Sequence, residues 1–469
     1  MEQAAEDKPA QNEGSACSDE RPNVLTALES VYLRFRDPRR IIRHGGRISE
    51  VMPIHFRVRG MSGDARMGDI VSYKVHGKRY LGEVIRISSE DILVAPFERN
   101  AEAGLGQPVF TTGPLGILPH PSWRGRVIDA LARPVDDGPP LIRPALPSSG
   151  APRTPSALRR QRVASPFSTG VRAIDLFTPL CFGQRIGIFA GSGVGKSTLL
   201  AMLARAQAFD TVVLTMVGER GREVREFLED TLGSEGVKKT VAVVATSDES
   251  AMMRRRAADT ATRVAESFRD RGDKVLLVVD SITRYAHASR EVAIGAGEPP
   301  VARGYPASVF TDLPNLLERA GPGEDGFGSI TAIVSVLVDG DDHNDPVADC
   351  VRGILDGHVV LDRAIAEQGR FPPVNPLSSI SRLADRAWSG DKRRLAQQLR
   401  SMIARYEETR DIRLLGGYQA GLDPDLDVAV KQVPIIYEML RQSPQDPPST
   451  DVFAELAAQL KARESKHGG

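Results

Sequence analysis

Residues 185–200 read Arg-Ile-Gly-Ile-Phe-Ala-Gly-Ser-Gly-Val-Gly-Lys-Ser-Thr-Leu-Leu. An apolar strand runs into a glycine-rich turn, and Gly195-Lys196-Ser197 then opens an amphipathic helix. That strand–turn–helix context is what a phosphate-binding P-loop requires. The glycines let backbone N–H groups converge on phosphate oxygens, and the helix N-terminus adds its dipole. Gly191, Ser192, Gly193, Val194, Gly195, Lys196, Ser197 and Thr198 are therefore the candidate nucleotide cradle. Lys196 is placed to reach the β- and γ-phosphates, and the Ser197 hydroxyl to ligate magnesium. The pattern asks for glycine five residues before Gly195, where this chain has Ala190. Alanine avoids positive φ, so the start of the loop is expected to differ slightly. The competing reading is a turn that merely joins strand to helix.

Phosphoryl transfer needs further parts. Residues 275–280 form an apolar run ending in Asp280, as expected of a Walker-B carboxylate that holds magnesium through water. Residues 211–217 form another apolar run, followed by Gly218-Glu219-Arg220. A glutamate at the carboxyl edge of a strand, beside the phosphates, is placed to orient and deprotonate the attacking water. Its bland alternative is an acid at a helix start, interacting with the dipole.

The chain divides by composition. Residues 1–22 hold six acids, two bases and no apolar pattern, which reads as a disordered tail. Residues 23–45 read as an amphipathic basic helical segment, with Val24, Leu28, Val31 and Phe35 at helical spacing. Six Arg against one Asp lie between 34 and 47. Such a run is either a solvated face or a contact for an acidic partner or membrane surface. Short β-rich runs over 46–138, including RGRVIDA, suggest a small barrel. Seven prolines in 139–166 mark a linker. Over 167–383, nearly continuous apolar strands alternate with helices, the signature of a parallel sheet covered on both faces. Residues 384–469 are mostly helical, with Pro434 and the proline-rich stretch 444–448 expected to break the pattern. The fold class is thus multidomain α/β: N-terminal β-barrel, central P-loop α/β domain with a mainly parallel sheet, and C-terminal helical domain.

Composition excludes some alternatives. With 61 Lys+Arg and 61 Asp+Glu the formal charge is zero, so bulk attraction for polyanions is absent. No apolar run is long enough to span a membrane, and the N-terminus has no secretory pattern. Three distant cysteines fit a reducing cytosol. A strand path for nucleic acid needs basic residues interleaved with aromatics, and no such motif is found. Residues 339–345, DGDDHND, superficially suggest a metal loop but lack the closing bidentate Glu and offer one imidazole, His343. Cys350 has no nearby Cys–His constellation and reads as a small buried residue.

Taken together, GSGVGKST, VGERGREVREF, VVDSITRYAHASREV, ARGYPASVF, VLVDGDDHNDPVAD and SSISRL resemble the flagellar branch of the type III secretion ATPases, which are related to the catalytic subunits of rotary ATP synthases. The resemblance runs from about residue 24 to the end and is densest over 167–383. It implies a RecA-like central domain, homohexameric rings, and ATP with Mg2+ bound between protomers. It places Glu219 at the catalytic glutamate, Arg220 beside it, and Arg382, in Ser-Ile-Ser-Arg, at an arginine finger that enters a neighbour's site. Tyr418 falls where relatives place an aromatic ring against adenine, and is otherwise a half-buried core tyrosine. Ala307 stands where relatives often have a second proline. The implied partners are a cytosolic negative regulator at the N-terminal region, a central stalk protein in the pore, chaperone–substrate complexes and a membrane export gate, with no nucleic acid. The implied location is the cytoplasm, peripheral to the inner membrane. Alternatives are a virulence secretion ATPase, a rotary synthase subunit, a nucleic-acid translocase on the same core, and a silent binding subunit. The last is disfavoured because Lys196, Glu219, Asp280 and Arg382 are all present.

Overall fold

A computed structural model describes residues 44–99, 102–144, 155–156, 158–163, 165–338 and 345–467, with side chains to 462. The acidic tail, the basic helical segment up to residue 43, residues 145–154, 157 and 164 of the proline linker, and the 339–344 part of the acidic loop lie outside the described residues.

Six antiparallel strands close a barrel in the order β1 (Gly45–Val51), β2 (Phe56–Arg59), β5 (Asp91–Pro96), β4 (Lys78–Ile87), β3 (Asp69–Val75), β6 (Pro108–Pro114). Period-two alternation drives it: in β2, Phe56 and Val58 point into the barrel and Arg57 and Arg59 outward. Ile48, Val71, Tyr73, Val84, Ile92 and Val109 fill the interior. Closure removes the exposed edges that an open sheet would leave.

The central domain is built on a nine-stranded sheet. Its main path runs Ile380–Ser381, Gly357–Leu361, Arg185–Ala190, Ser329–Leu337, Lys274–Asp280, Thr211–Glu219, Thr240–Thr246, Val127–Asp129, and Gly321–Pro322 pairs off this path. The pairings are parallel except those of Ile380–Ser381 and Gly321–Pro322. The alternation within Thr211–Glu219 shows why both faces are apolar. Val213 and Val217 pack under the helices Ala251–Arg269, Ile282–Gly295 and Ala307–Leu317, while Val212, Leu214 and Met216 meet Leu199, Leu200 and Leu203 of the helix Lys196–Ala204. Ser250 and Ser281 cap two of these helices by accepting from Met253 N and Arg284 N.

Two expectations are corrected here. Val127–Asp129, expected in the barrel, is instead the parallel edge strand beside Thr240–Thr246. The short run Val127-Ile128-Asp129, with two β-branched residues, fits either sheet, and Trp123, fully buried just before it, anchors the run to the central domain. Pro434 does not break the C-terminal pattern, because Pro424–Leu440 runs through it as one helix. Burial of Val433 and Ile436 on either side outweighs the one backbone bond a proline removes.

The C-terminal helices Gly390–Glu408, Pro424–Leu440 and Val452–His467 share a core with Leu176 and Phe177, from the short helix Arg172–Phe177. Arg172 reinforces the junction through Glu455 at 2.9 Å. Among the described residues, no helix is long and apolar enough to cross a membrane, and no group of three or more His, Cys, Asp and Glu is placed to hold a metal ion. Burial pushes the Cys181 and Cys350 thiols up; Cys181 is buried, whereas Cys350, expected to be buried, is half-buried.

Candidate functional site

The strand Arg185–Ala190 sits inside the parallel sheet, and its carboxyl end opens the loop that leads to the helix Lys196–Ala204. Gly193 at φ 76° and Gly195 at φ 101° take the left-handed turns that a side chain would resist. Ala190 needs no such turn. It completes the strand, paired with Leu337 and Leu361, so the missing glycine leaves the start of the loop unstrained. Val194 is buried and pins the loop, while Ser192, Gly193, Ser197 and Thr198 face solvent. No side chain caps the helix at Gly195, so its first-turn N–H groups remain open to an anion.

Four charged side chains gather at the carboxyl ends of the strands. Lys196 Nζ donates to Asp280 Oδ1 and lies 3.9 Å from Glu219 Oε1. Arg284 Nη1 lies 2.9 Å from Glu219 Oε2 and also donates to the Gly218 carbonyl. Ser335 Oγ donates to Asp280 Oδ1 at 2.7 Å. Glu219 and Asp280 are 7% and 2% exposed, so neither charge could persist there without these partners. The Glu219 proton is held above the ordinary carboxylate range. Burial is the main cause and the Asp280 charge adds to it, while Lys196 and Arg284 pull the other way. The result is two cations and two carboxylates that neutralise one another around the loop.

The other sequence candidates lie apart from this quartet. Arg220 is exposed and pairs with Glu223 at 3.3 Å. Arg382 is exposed at the far end of the sheet: its backbone N donates to Asp356 O, and the Asp356 carboxylate accepts from Arg185 N, at the start of the loop-bearing strand. At about 3.3 Å per residue along that strand, Arg382 sits roughly 17 Å from the loop. Tyr418 is half-buried and donates its hydroxyl to Asp427 at 2.6 Å, within the C-terminal helical domain.

Sequence reasoning passed over four residues. Arg284 lies in the first turn of the helix Ile282–Gly295, just after the strand that ends in Asp280. Ser335 is a hydroxyl deep in an apolar strand. Arg363 donates to the Ser192 carbonyl at 3.2 Å and steadies the loop. Phe371 is half exposed, two residues before Pro373, whose Cδ would lie 3.9 Å from a Cβ on Gly195. The last three belong to segments that reach the loop only through tertiary pairing.

Comparison with known proteins fits this geometry. Residues 170–381 match the nucleotide-binding domain of the ATP synthase alpha/beta family, and residues 388–462 match the C-terminal domain of the type III secretion ATPase EscN. The chain is 58% identical over 438 residues to the flagellum-specific ATP synthase of Rhizobium meliloti, covering 93% of this chain and 94% of that one. The assembled ATPase EscN of the enteropathogenic E. coli type III secretion system superimposes with a TM-score of 0.81 at 41% identity, covering 89% of this chain and 99% of that one. EscN in complex with its central stalk EscO gives 0.78 at 40% identity, with the same coverage. The chain belongs to the flagellum-specific and type III secretion branch of the ATP synthase alpha/beta family and is an ATP-hydrolysing enzyme.

Proposed function

We propose that this enzyme works in flagellar protein export, as a homohexamer that hydrolyses MgATP between subunits to promote unfolding and delivery of substrates. The flagellar assignment over the virulence one is supported by the higher identity to the flagellum-specific relative, 58% against 45% for a type III secretion ATPase of Salmonella typhimurium. The observation that carries the inter-subunit mechanism is the separation of Arg382 from its own loop, which leaves the local quartet without a free cation for the transferring phosphoryl group.

The residues suit magnesium. Asp280 is a hard oxygen donor whose Oδ2 accepts no hydrogen bond among the described residues, and the Ser197 hydroxyl is open at the helix start. When bound, magnesium would supply positive charge to offset the charge that develops on the phosphates. Ser197 and Asp280 would hold it. The open N–H groups of the 191–198 loop bind phosphate oxygens, and Lys196 exchanges Asp280 for the β- and γ-phosphates. Glu219 orients the attacking water and takes its proton, and burial makes it a stronger base than an exposed glutamate. Arg382 of the adjoining protomer compensates charge on the phosphoryl group. Arg220, exposed beside Glu219, serves the same interface. For the adenine ring, Tyr418 is the candidate from resemblance and Phe371 the candidate from position.

The partners are proposed on the same footing: a stalk protein in the pore, as EscO serves EscN, a negative regulator at the N-terminal region, chaperone–substrate complexes and the membrane export gate. The proposed location is cytoplasmic, peripheral to the inner membrane. ATPase activity measured against protein concentration, with the oligomer distribution recorded in parallel, tests the reading. Specific activity should rise with the ring fraction, and full activity in demonstrable monomers would refute it.

A further inference from the structure

Ser335 is chemically out of place in its strand. Ser329–Leu337 is buried at seven consecutive positions and lies between the loop-bearing strand and Lys274–Asp280. Ser335 is 0% exposed, and a hydroxyl in so dry a place is costly unless it is hydrogen-bonded. Its bond goes to the site. Val334 pairs with Val279, which sets Ser335 beside Asp280, and Oγ reaches Asp280 Oδ1 at 2.7 Å.

Lys196 donates to the same oxygen, Oδ1, so both donors crowd one side of the carboxylate. No hydrogen bond engages Oδ2 among the described residues. The two donors differ in permanence. Lys196 stands on the phosphate loop and turns to the substrate, whereas Ser335 is fixed in the centre of the sheet. An aspartate carboxylate turns freely about its terminal torsion. A charge-assisted O–H···O bond from a rigid strand removes that freedom.

We propose that Ser335 is a positioning residue. It locks the Asp280 carboxylate through Oδ1, so that Oδ2 stays presented to the magnesium shell after Lys196 has moved to the phosphates. This rests on the reading of Asp280 as the magnesium-side carboxylate. Groups that orient a metal-side ligand change metal affinity or activity by about 10–100-fold when removed.

The test measures binding of ADP to the full-length protein, by calorimetry, in EDTA and across a Mg2+ titration. In Ser335→Ala, the Mg2+ concentration that gives half of the magnesium-dependent gain in ADP affinity should rise about tenfold or more. ADP affinity in EDTA should be unchanged. Ser335→Cys keeps the packing with a weaker donor and should shift the same way, and Ser335→Thr, which retains the hydroxyl, should restore the wild-type value. Unchanged magnesium dependence in Ser335→Ala, with Asp280→Asn shifted, overturns the inference and leaves the Asp280 reading standing. No shift in either variant overturns the Asp280 reading itself. Equal loss of ADP affinity in EDTA and in Mg2+ makes Ser335 merely structural and also overturns the inference.

Discussion

Arg382 and Glu219 should complement each other across subunits. Along the strand Arg185–Ala190, Arg382 is about five residue steps from the loop it would have to serve, roughly 17 Å at 3.3 Å per step. An extended arginine spans about 7 Å from Cα to its terminal nitrogens, so rotamer changes within one protomer cannot close the gap. A finger acting across an interface contributes about 10³–10⁵ in rate, so Arg382→Ala should cost at least about 10³ in kcat while leaving ADP binding intact. Glu219→Gln should be comparably inactive. Each variant keeps the half that the other lacks. When the two are mixed and assembled at random in equal amounts, about one interface in four joins an intact Glu219 to an intact Arg382, because ring interfaces are head-to-tail. The assay is steady-state phosphate release from the mixture under assembling conditions, against each variant alone. Activity approaching a quarter of wild type is the expected result. A mixture no more active than its parts, with mixed rings shown by mass measurement, would refute the trans role of Arg382.

Other outcomes follow from the same coordinates. The proposed base role requires Glu219 unprotonated, and its proton is held above the ordinary range, so kcat should fall on acidification at a higher pH than an ordinary glutamate would give. A pH profile with its acid limb at the ordinary glutamate position would count against Glu219 as base. Glu83 of the barrel is buried and holds its proton above the ordinary value through burial, with Arg256 at 3.5 Å opposing. Its folded pKa lies above its unfolded one, so its contribution to stability is present at low pH and lost as pH rises through the raised value. Arg256→Ala should therefore destabilise by about 3–5 kcal/mol near neutrality, and adding Glu83→Gln should recover much of that. Melting temperatures of the two variants decide it, and additive losses would sink the idea. For the adenine platform, loss of a stacked ring worth about 0.5–1.5 kcal/mol raises the Kd for ADP about two- to tenfold. Phe371→Ala should show that rise and Tyr418→Ala should not, and the reverse would favour the resemblance.

What was legible from the sequence was local. The loop at 191–198 carries its own conformational demand in Gly193 and Gly195, and the buried strands declare themselves as apolar runs. What depended on pairing was hidden. The run 127–129 has the same composition as a barrel strand, and only its partner, Thr240–Thr246, places it. Arg284 and Ser335 carry no motif of their own, and their place at the site appears only when the register sets Ser335 beside Asp280 and the Ile282–Gly295 helix turns Arg284 toward Glu219. Ala190 was misjudged because a motif records residue types, whereas the strand requires only an extended backbone there.

The Lys196–Asp280 contact also sets how the two proposed ligands must cooperate. A polyphosphate arriving alone draws Lys196 away and leaves the buried Asp280 carboxylate with only Ser335 among its described partners. A buried charge stripped of its counter-ion is strongly penalised, so nucleotide without magnesium binds against that cost. Were Asp280 to hold a divalent cation alone, Lys196 would lose Asp280 and keep only Glu219, 3.9 Å away, a poorer exchange. When both enter, Lys196 gains phosphate oxygens and Asp280 gains the metal shell, so each broken contact is replaced. Binding linkage is reciprocal: whatever factor Mg2+ adds to ADP affinity, ADP must add to Mg2+ affinity. Replacing Lys196 by Gln removes the ammonium from both sides of this exchange, so the magnesium-dependent gain in ADP affinity should shrink along with ADP affinity itself. If the gain persisted in full in that variant, the ion pair would not be the element that couples the two ligands.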